Sequence, residues 1–190
     1  MITFGLIAFE NLEKVLDKIN NIITPTIEAH PHLEFETICV DNSSSPLDIS
    51  HQVNIYKWNN GENKYYAGAM NQLVQLSNGD IMVYICTNHG RMLNVNWLLD
   101  IIRPIVKYGC AMAGDISDRV FIQGGVFAAK ISALKDVPYS TDKDFVHLYS
   151  DHYIGKALRD KGYRLSGVPS IRSVWCQTVS DQNYKYIHDG

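Results

Sequence analysis

Three short clusters of polar residues are the places where this sequence could do chemistry. DNSSS occupies residues 41–45, TNH residues 87–89 and SDH residues 150–152. Their carboxylate, amide, hydroxyl and imidazole groups can hydrogen-bond a polar ligand, and an imidazole can also bind a metal ion. In an open α/β sheet, ligands collect at the carboxyl ends of the strands, where loops and helix N-termini converge. The clusters predict a ligand site if the elements between them form such a sheet.

The first half of the chain alternates strand-like and helix-like patterns. Helical spacing of apolar residues from Leu12 to Ile23 predicts a helix, and we expect turns over residues 24–32. A second helix is predicted over residues 64–77, before the Asn78-Gly79 stop. Apolar runs predict strands at residues 3–9, 35–40, 53–58 and 81–86. The alternation predicts a mostly parallel sheet with helices on both faces.

The pattern loosens in the second half. A helix is predicted from Asn96, with a kink or break at Pro104 because proline lacks the N–H that a helix interior needs. A later helix is predicted over residues 150–162. Short strands are predicted at residues 110–113, 125–129, 164–168 and 172–176, and residues 181–190 form a polar tail.

Size and composition exclude several classes of protein. The 190 residues, 46% of them hydrophobic, suit one domain with one core. A net charge of −3 without a basic run argues against a nucleic-acid partner. No apolar stretch approaches the roughly 20 residues that span a bilayer, which leaves docking on a membrane surface open. The four dispersed cysteines form no CxxC pair and favour a cytoplasmic location.

Further motifs follow one another along most of the chain. Residues 40–45 end a strand, and residues 97–98 read as W-L. Residues 59–71, with Gly68, Ala69 and Asn71, are similar to an N-x-G-x-x-x-A-x-N helix entry, and residues 79–81 (GDI) are similar to a G-D-x-I strand entry. Residues 124–130 read as G-x-x-x-x-x-K, and residues 151–164 end in G-Y-R. This ordered set, with TNH in the position of a DxD-type motif, resembles the family-2 glycosyltransferases with a GT-A fold.

The resemblance implies a fold and an activity. The fold would be one Rossmann-like, mixed and mostly parallel sheet over residues 1–190, with the donor nucleotide bound by residues 1–90 and the acceptor by residues 91–180. The activity would be hexosyl transfer from a UDP- or dTDP-sugar to a hydroxyl of a glycan, glycoprotein or glycolipid, with inversion at the anomeric carbon.

The resemblance also implies roles for particular residues. Asp41 would accept a hydrogen bond from the N–H of a uracil or thymine ring. Asp151, at a helix N-terminus, would be the catalytic base that removes the acceptor hydroxyl proton. The remaining donor-binding residues would be Phe9, Glu10, Asn42, Ser43, Lys64, Gly68, Asn71, Thr87 and Asn88.

The chain departs from the family at the metal motif. Where the family carries an aspartate that holds Mn²⁺ or Mg²⁺ on the donor diphosphate, this sequence has Thr87, Asn88 and His89. Hard cations prefer carboxylate oxygens, so two alternatives stay open. His89 can act as a single metal ligand, or a cation such as Arg91 or Arg119 can neutralise the departing diphosphate.

Other interpretations of the same residues remain. Asp41 can be an ordinary turn residue, and Asp151 a carboxylate that complements a helix dipole. The altered metal motif fits a catalytically silent carbohydrate- or nucleotide-binding domain as well as an enzyme. A nucleotidyltransferase is disfavoured, because residues 9–11 (FEN) offer neither the glycine nor the basic residue of a phosphate loop.

Overall fold

The chain builds one seven-stranded sheet in the computed structural model, which describes residues 1–88, 96–117, 121–142 and 150–169. The strands lie in the order β3-β2-β1-β4-β6-β5-β7, and β6 is the described strand that runs antiparallel to its neighbours. Their bounds are β1 (Ile2–Ala8), β2 (Phe35–Asp41), β3 (Ile55–Trp58), β4 (Ile81–Ile85), β5 (Met112–Ser117), β6 (Phe121–Lys130) and β7 (Leu165–Gly167).

Helices cover both faces of this sheet, as the alternating pattern predicts. One face packs against α1, α2 and α4, and the opposite face against α3, α5 and α6. Their bounds are α1 (Leu12–Lys18), α2 (Thr24–Ala29), α3 (Tyr65–Leu76), α4 (Trp97–Tyr108), α5 (Ile131–Asp136) and α6 (Ser150–Asp160), with a π-helical segment at Ile19–Ile23. The predicted mixed, mostly parallel α/β fold is confirmed.

The central strand β1 shows why its sequence is an almost continuous apolar run. It pairs in parallel with β2 on one side and β4 on the other, so both of its edges are covered. Phe4, Leu6 and Ala8 are fully buried in the layer that contains α1 and α4. Ile7 points the other way, into the layer that contains α3. A strand that is buried on both faces needs no polar alternation.

Residues 24–29 are helical, so the prediction of turns there is wrong. Helix α2 continues from α1 through the π-helical segment, with Pro25 in its first turn, where a missing N–H is tolerated. The buried Thr26 hydroxyl donates to the Ile22 carbonyl at 2.6 Å and accepts from the Trp97 indole N–H at 3.1 Å. These tertiary contacts to α4 outweigh the local turn propensity.

Proline does not break α4, which continues through Pro104 to Tyr108. The buried Ile101, Ile102 and Ile105 flank the proline and pack into the core. Most helical stability in proteins comes from such packing of an apolar face, so one missing hydrogen bond is tolerated. The predicted strand at residues 172–176 and the tail at 181–190 lie outside the described residues. Helix α5 was not predicted.

None of the helices in the described ranges combines the length and apolar composition needed to cross a bilayer.

Candidate functional site

The carboxyl ends of β1, β2 and β4 lie side by side, as the first two polar clusters require. Ala8 pairs with Asp41 at the end of β1 and β2, and β4 flanks β1 on its other side. After β2 the chain adds β3 outward, and then returns past β1 to form β4. The gap between β1 and β4 is thus a point where the strand order reverses, which is where open α/β sheets bind ligands.

Asp41 is buried and organises its own loop. Its Oδ1 accepts the Ser43 N–H at 2.9 Å, and its Oδ2 accepts the Leu47 N–H at 3.0 Å and the Tyr56 hydroxyl at 2.5 Å. The residue has no exposed surface. Burial and the Asp41 carboxylate raise the pKa of the Tyr56 phenol, which therefore stays protonated and donates. These contacts give Asp41 a turn-organising role, and its hydrogen bond to a uracil or thymine ring stays a prediction.

The loops after β1 and β2 clasp each other. The Glu10 N–H donates to Ser43 Oγ at 2.8 Å, and the Ser44 N–H donates to Glu10 Oε1 at 2.7 Å. The Trp58 indole N–H donates to the Ser43 carbonyl at 3.0 Å. Ser43 is fully buried, whereas Phe9 is 51% exposed beside the clasp. The clasp thus presents an aromatic ring and a carboxylate at one rim.

Asn42 connects this rim to the start of α3. Its Oδ1 accepts from Asn59 Nδ2 at 2.7 Å and from the Lys64 N–H at 3.4 Å, and its Nδ2 donates to the Tyr65 carbonyl at 3.3 Å. The Lys64 ammonium group forms an ion pair with Glu62. A Cβ on Gly68 would lie 3.1 Å from Lys64 Cβ, so a side chain there would crowd the first turn of α3.

Backbone strain is concentrated in the loops at this edge. Among the described residues, the non-glycine residues with positive φ are Glu10 (53°), Asn60 (55°) and Tyr65 (54°). They follow β1, follow β3 and begin α3, respectively. Such conformations cost about 1–3 kcal/mol each and cluster at functional sites. The strain marks the same edge as the polar clusters.

Asn71 has a structural role that the sequence did not predict. Its Nδ2 donates to the Tyr139 carbonyl and its Oδ1 accepts the Tyr139 N–H, both at 2.9 Å. Both ends of the amide are therefore used to fasten the segment after α5 onto α3. Contact between Asn71 and the donor nucleotide stays a prediction.

The end of β4 brings together Thr87, Asn88 and a lysine that the sequence did not single out. The Thr87 hydroxyl donates to the Ile7 carbonyl of β1 at 3.3 Å. The Lys14 ammonium group, from α1, donates to Asn88 Oδ1 at 2.8 Å. The predicted metal ligand His89 and the alternative cations Arg91 and Arg119 lie outside the described residues.

Asp151 lies at the same edge, on the first turn of α6. The Cys86 N–H donates to the Gly125 carbonyl, so the neighbouring Gly124 sits just past the end of β4. A Cβ on Gly124 would lie 3.1 Å from the Tyr66 hydroxyl and 3.9 Å from Asp151 Cβ. Burial raises the pKa of the Tyr66 phenol well above its ordinary value, and the nearby Asp151 charge adds to the rise. Asp151 is therefore close to the start of α3.

The described residues do not fit a divalent metal. Nowhere in the described ranges do three His, Cys, Asp or Glu side chains form a potential metal site. Thr87 turns its hydroxyl to a carbonyl, and the Asn88 amide oxygen already accepts from an ammonium group. Mn²⁺ and Mg²⁺ prefer carboxylate oxygens, which these two residues lack.

Solved structures of glycosyltransferases share this fold. Mannosyltransferase PcManGT from Pyrobaculum calidifontis, in complex with GDP-Man and Mn²⁺, matches with a TM-score of 0.76 and 14% identity over 98% of this chain and 60% of that chain. Glucosyl-3-phosphoglycerate synthase from Mycobacterium tuberculosis, in complex with Mn²⁺, UDP and phosphoglyceric acid, matches with a TM-score of 0.69 and 14% identity over 99% and 75% of the two chains. A fragment of S. aureus TarS matches with a TM-score of 0.64 and 11% identity over 98% of this chain and 62% of that chain.

These matches establish the fold: the chain has the GT-A architecture of nucleotide-sugar glycosyltransferases. It spans 60% of the length of the mannosyltransferase and 62% of the TarS fragment. No protein-family model matches the sequence, and no curated protein matches it. Identities of 11–14% extend the likeness to the fold and not to an activity.

Proposed function

We propose that the protein is a glycosyltransferase that moves a hexosyl group from a UDP- or dTDP-sugar to an acceptor hydroxyl with inversion, as family-2 enzymes do. The observation that carries this proposal is the position of Asp151. Asp151 lies at the carboxyl edge of the sheet, with its Cβ near Gly124 and Tyr66, on the edge where the strained loops after β1 and β3 converge.

The donor nucleotide would bind along the rim formed by the loops after β1 and β2. Phe9, 51% exposed, offers a face on which a base can stack, a contact typically worth about 1–3 kcal/mol. Glu10, Lys64 and Gly68 would line the ribose side, and Thr87 and Asn88 the diphosphate side. Asp41, Asn42 and Ser43 would hold these loops in place. Asn71 would fasten the segment after α5 onto α3, which starts beside the rim.

The chemistry would be a single displacement. Asp151 takes the proton of the acceptor hydroxyl as its oxygen attacks the anomeric carbon. The bond between that carbon and the donor diphosphate breaks, and the diphosphate leaves with the bonding electrons. Attack opposite the leaving group inverts the anomeric carbon. Asp151 would thus supply the base. The departing diphosphate would also need a positive charge to stabilise it.

The acceptor would be a glycan, glycoprotein or glycolipid, bound over the half of the sheet that contains β5 and β6. We propose a cytoplasmic location, which the buried thiols of Cys39 and Cys110 support because reduced cysteines suit a reducing compartment. Contact with a membrane surface, which a glycolipid acceptor would require, is part of the same proposal.

The test is a nucleotide and turnover screen. Thermal shift with UDP, dTDP and GDP, each with Mn²⁺ and with EDTA, reports which base binds. Release of nucleoside diphosphate from UDP-glucose, UDP-N-acetylglucosamine, dTDP-rhamnose and GDP-mannose, in the presence of a sugar-acceptor panel, reports transfer. Stabilisation by UDP or dTDP together with acceptor-dependent release supports the enzyme. Stabilisation without release from any donor would support the silent binding domain instead.

A further inference from the structure

We infer that the ammonium group of Lys14 binds the diphosphate of the donor, and that it supplies there the positive charge that a divalent metal supplies in enzymes with a carboxylate motif. This inference rests on the proposed function. It concerns the mismatch at the end of β4, where the fold predicts a metal motif and the described residues offer no carboxylate.

The position of Lys14 is the first argument. Its Nζ donates to Asn88 Oδ1 at 2.8 Å across 74 positions of sequence. Asn88 lies in the second polar cluster, just beyond Thr87, whose hydroxyl reaches the Ile7 carbonyl of β1. Nζ is therefore held where β1 and β4 end side by side, which is the gap where the strand order reverses and where a diphosphate would lie.

The fold also fixes the helix turn from which Lys14 projects. The Lys14 N–H donates to the side chain of Asn11, which caps the start of α1, at 3.0 Å. The next residue, Val15, is fully buried in the core and sets the rotation of the helix. The Lys14 side chain is partly buried, so fewer of its conformations are lost when it binds a ligand.

The positive charge of Lys14 is available to an anionic ligand. Lys18, one turn further along α1, forms an ion pair with Asp17, and Lys64 at the start of α3 forms one with Glu62, so both of these cations already have a carboxylate partner. Lys14 forms no ion pair with a described carboxylate, and its partner is the neutral Asn88 amide. An anion can therefore take the positive charge of Lys14 without first displacing a carboxylate.

The same hydrogen bond argues against a metal on Asn88. In the described part of this cluster, the Asn88 amide oxygen is the best available metal ligand. It already accepts a hydrogen bond from the Lys14 ammonium group. A divalent cation at that oxygen would lie next to a positive charge and would be repelled. A lysine acts on phosphate as a point charge with three N–H donors, which suits the spread charge of a leaving diphosphate.

Isothermal titration calorimetry on the Lys14→Met variant tests the inference. The probe is whichever of UDP, dTDP and GDP binds the unmodified protein, and the titrations are run in EDTA and in MnCl₂. We expect the unmodified protein to bind the diphosphate in EDTA, and Lys14→Met to bind it about 10- to 100-fold more weakly, the range for a charge-assisted hydrogen bond. The affinity for the corresponding nucleoside should not change.

Two further variants serve as controls. Lys14→Arg keeps the charge and should bind the diphosphate within a few-fold of the unmodified protein. Lys107→Met removes an exposed lysine from α4 and should have no effect. Equal diphosphate affinity in Lys14→Met, or a strict need for Mn²⁺ in the unmodified protein, would overturn the inference and leave the glycosyltransferase proposal standing. If no nucleotide binds the unmodified protein, the proposed function itself fails.

Discussion

The two edges of the central sheet each hold a buried carboxylate on β2, but the two carboxylates do different work. At the amino edge, Glu36 accepts from the Thr3 hydroxyl at 2.6 Å, the Asn78 N–H at 2.7 Å and the Gly79 N–H at 3.2 Å. It therefore ties β1 and β2 to the turn that begins β4. At the carboxyl edge, Asp41 binds donors of its own loop and of β3.

Strain and exposure separate the two edges further. The non-glycine residues with positive φ that the structure describes all lie in the loops of the carboxyl edge, where Phe9 and Tyr65 also expose aromatic rings. At the amino edge, Glu36 is buried. One edge therefore holds the strands together, whereas the other keeps costly loop conformations of the kind that cluster at functional sites.

The largest expected effect is on catalysis at the carboxyl edge. Asp151→Asn removes the proposed base while keeping its size, so the rate of transfer should fall by about 100- to 10,000-fold. Nucleotide affinity should survive, because Asp151 does not contact the nucleotide in this account. Steady-state turnover and calorimetry on the same preparation measure both quantities.

The matched control is Asp160→Asn at the other end of α6, where the carboxylate pairs with Lys156 on the surface. It should keep full activity. Unchanged turnover in Asp151→Asn would remove Asp151 from the mechanism.

The next effect is on stability at the amino edge. Glu36→Gln turns a charged acceptor of several hydrogen bonds into a neutral one, and should lower the free energy of unfolding by about 1–3 kcal/mol at neutral pH. Urea denaturation measures this, with exposed Glu28→Gln as the control. Nucleotide affinity should stay within twofold, because Glu36 lies at the opposite edge. A loss of affinity as large as the loss of stability would contradict the separation of the two edges.

The effect of Glu36→Gln should depend on pH. Burial acts to raise the pKa of the Glu36 carboxyl, but hydrogen bonds from Thr3, Asn78 and Gly79 outweigh it and hold the pKa below the ordinary 4.5. The unfolded chain therefore binds a proton first as the pH falls. The stability difference between the two proteins should be complete above about pH 4.5 and shrink as the pH falls below it. A difference that stays constant down to pH 3 would refute this cause.

The smallest expected effect concerns strain. Tyr65 has a φ of 54°, which glycine adopts without the roughly 1–2 kcal/mol cost that other residues bear. Tyr65→Gly should therefore be more stable than Tyr65→Ala by up to about 1 kcal/mol, in the reverse of the usual order inside a helix. Thermal unfolding of the two variants checks this. If the alanine variant is the more stable, strain does not distinguish this edge.

The apolar pattern predicted most of the fold because burial alone decides it. The strands β1, β2 and β4 are buried runs, and α3 buries one face, so their patterns follow from the surfaces they cover. Helix α2 was missed because its stability comes from Thr26 contacting Trp97 far along the chain. The apolar pattern also could not predict that β6 runs antiparallel, because strand direction depends on pairing and not on composition.

The sequence predicted where the candidate site lies better than it predicted what each residue does there. The polar clusters identified the carboxyl edge, since turn formers after apolar runs mark strand ends. The role of Asp41 depends on Tyr56 and Leu47, which only the folded loop brings to its carboxylate. Lys14 carries no motif, and the pairing of β1 with β4 is what places it beside Asn88.

We propose that the carboxyl edge of β1, β2 and β4 binds a nucleoside diphosphate. Backbone amide shifts of ¹⁵N-labelled protein, recorded by NMR as UDP, dTDP or GDP is added, test it most directly. We predict that the amides of Glu10, Ser44, Tyr65 and Thr87 shift, while those of Asn78 and Gly79 at the amino edge stay in place. Shifts confined to the amino edge, or none with any of the three nucleotides, would contradict the claim.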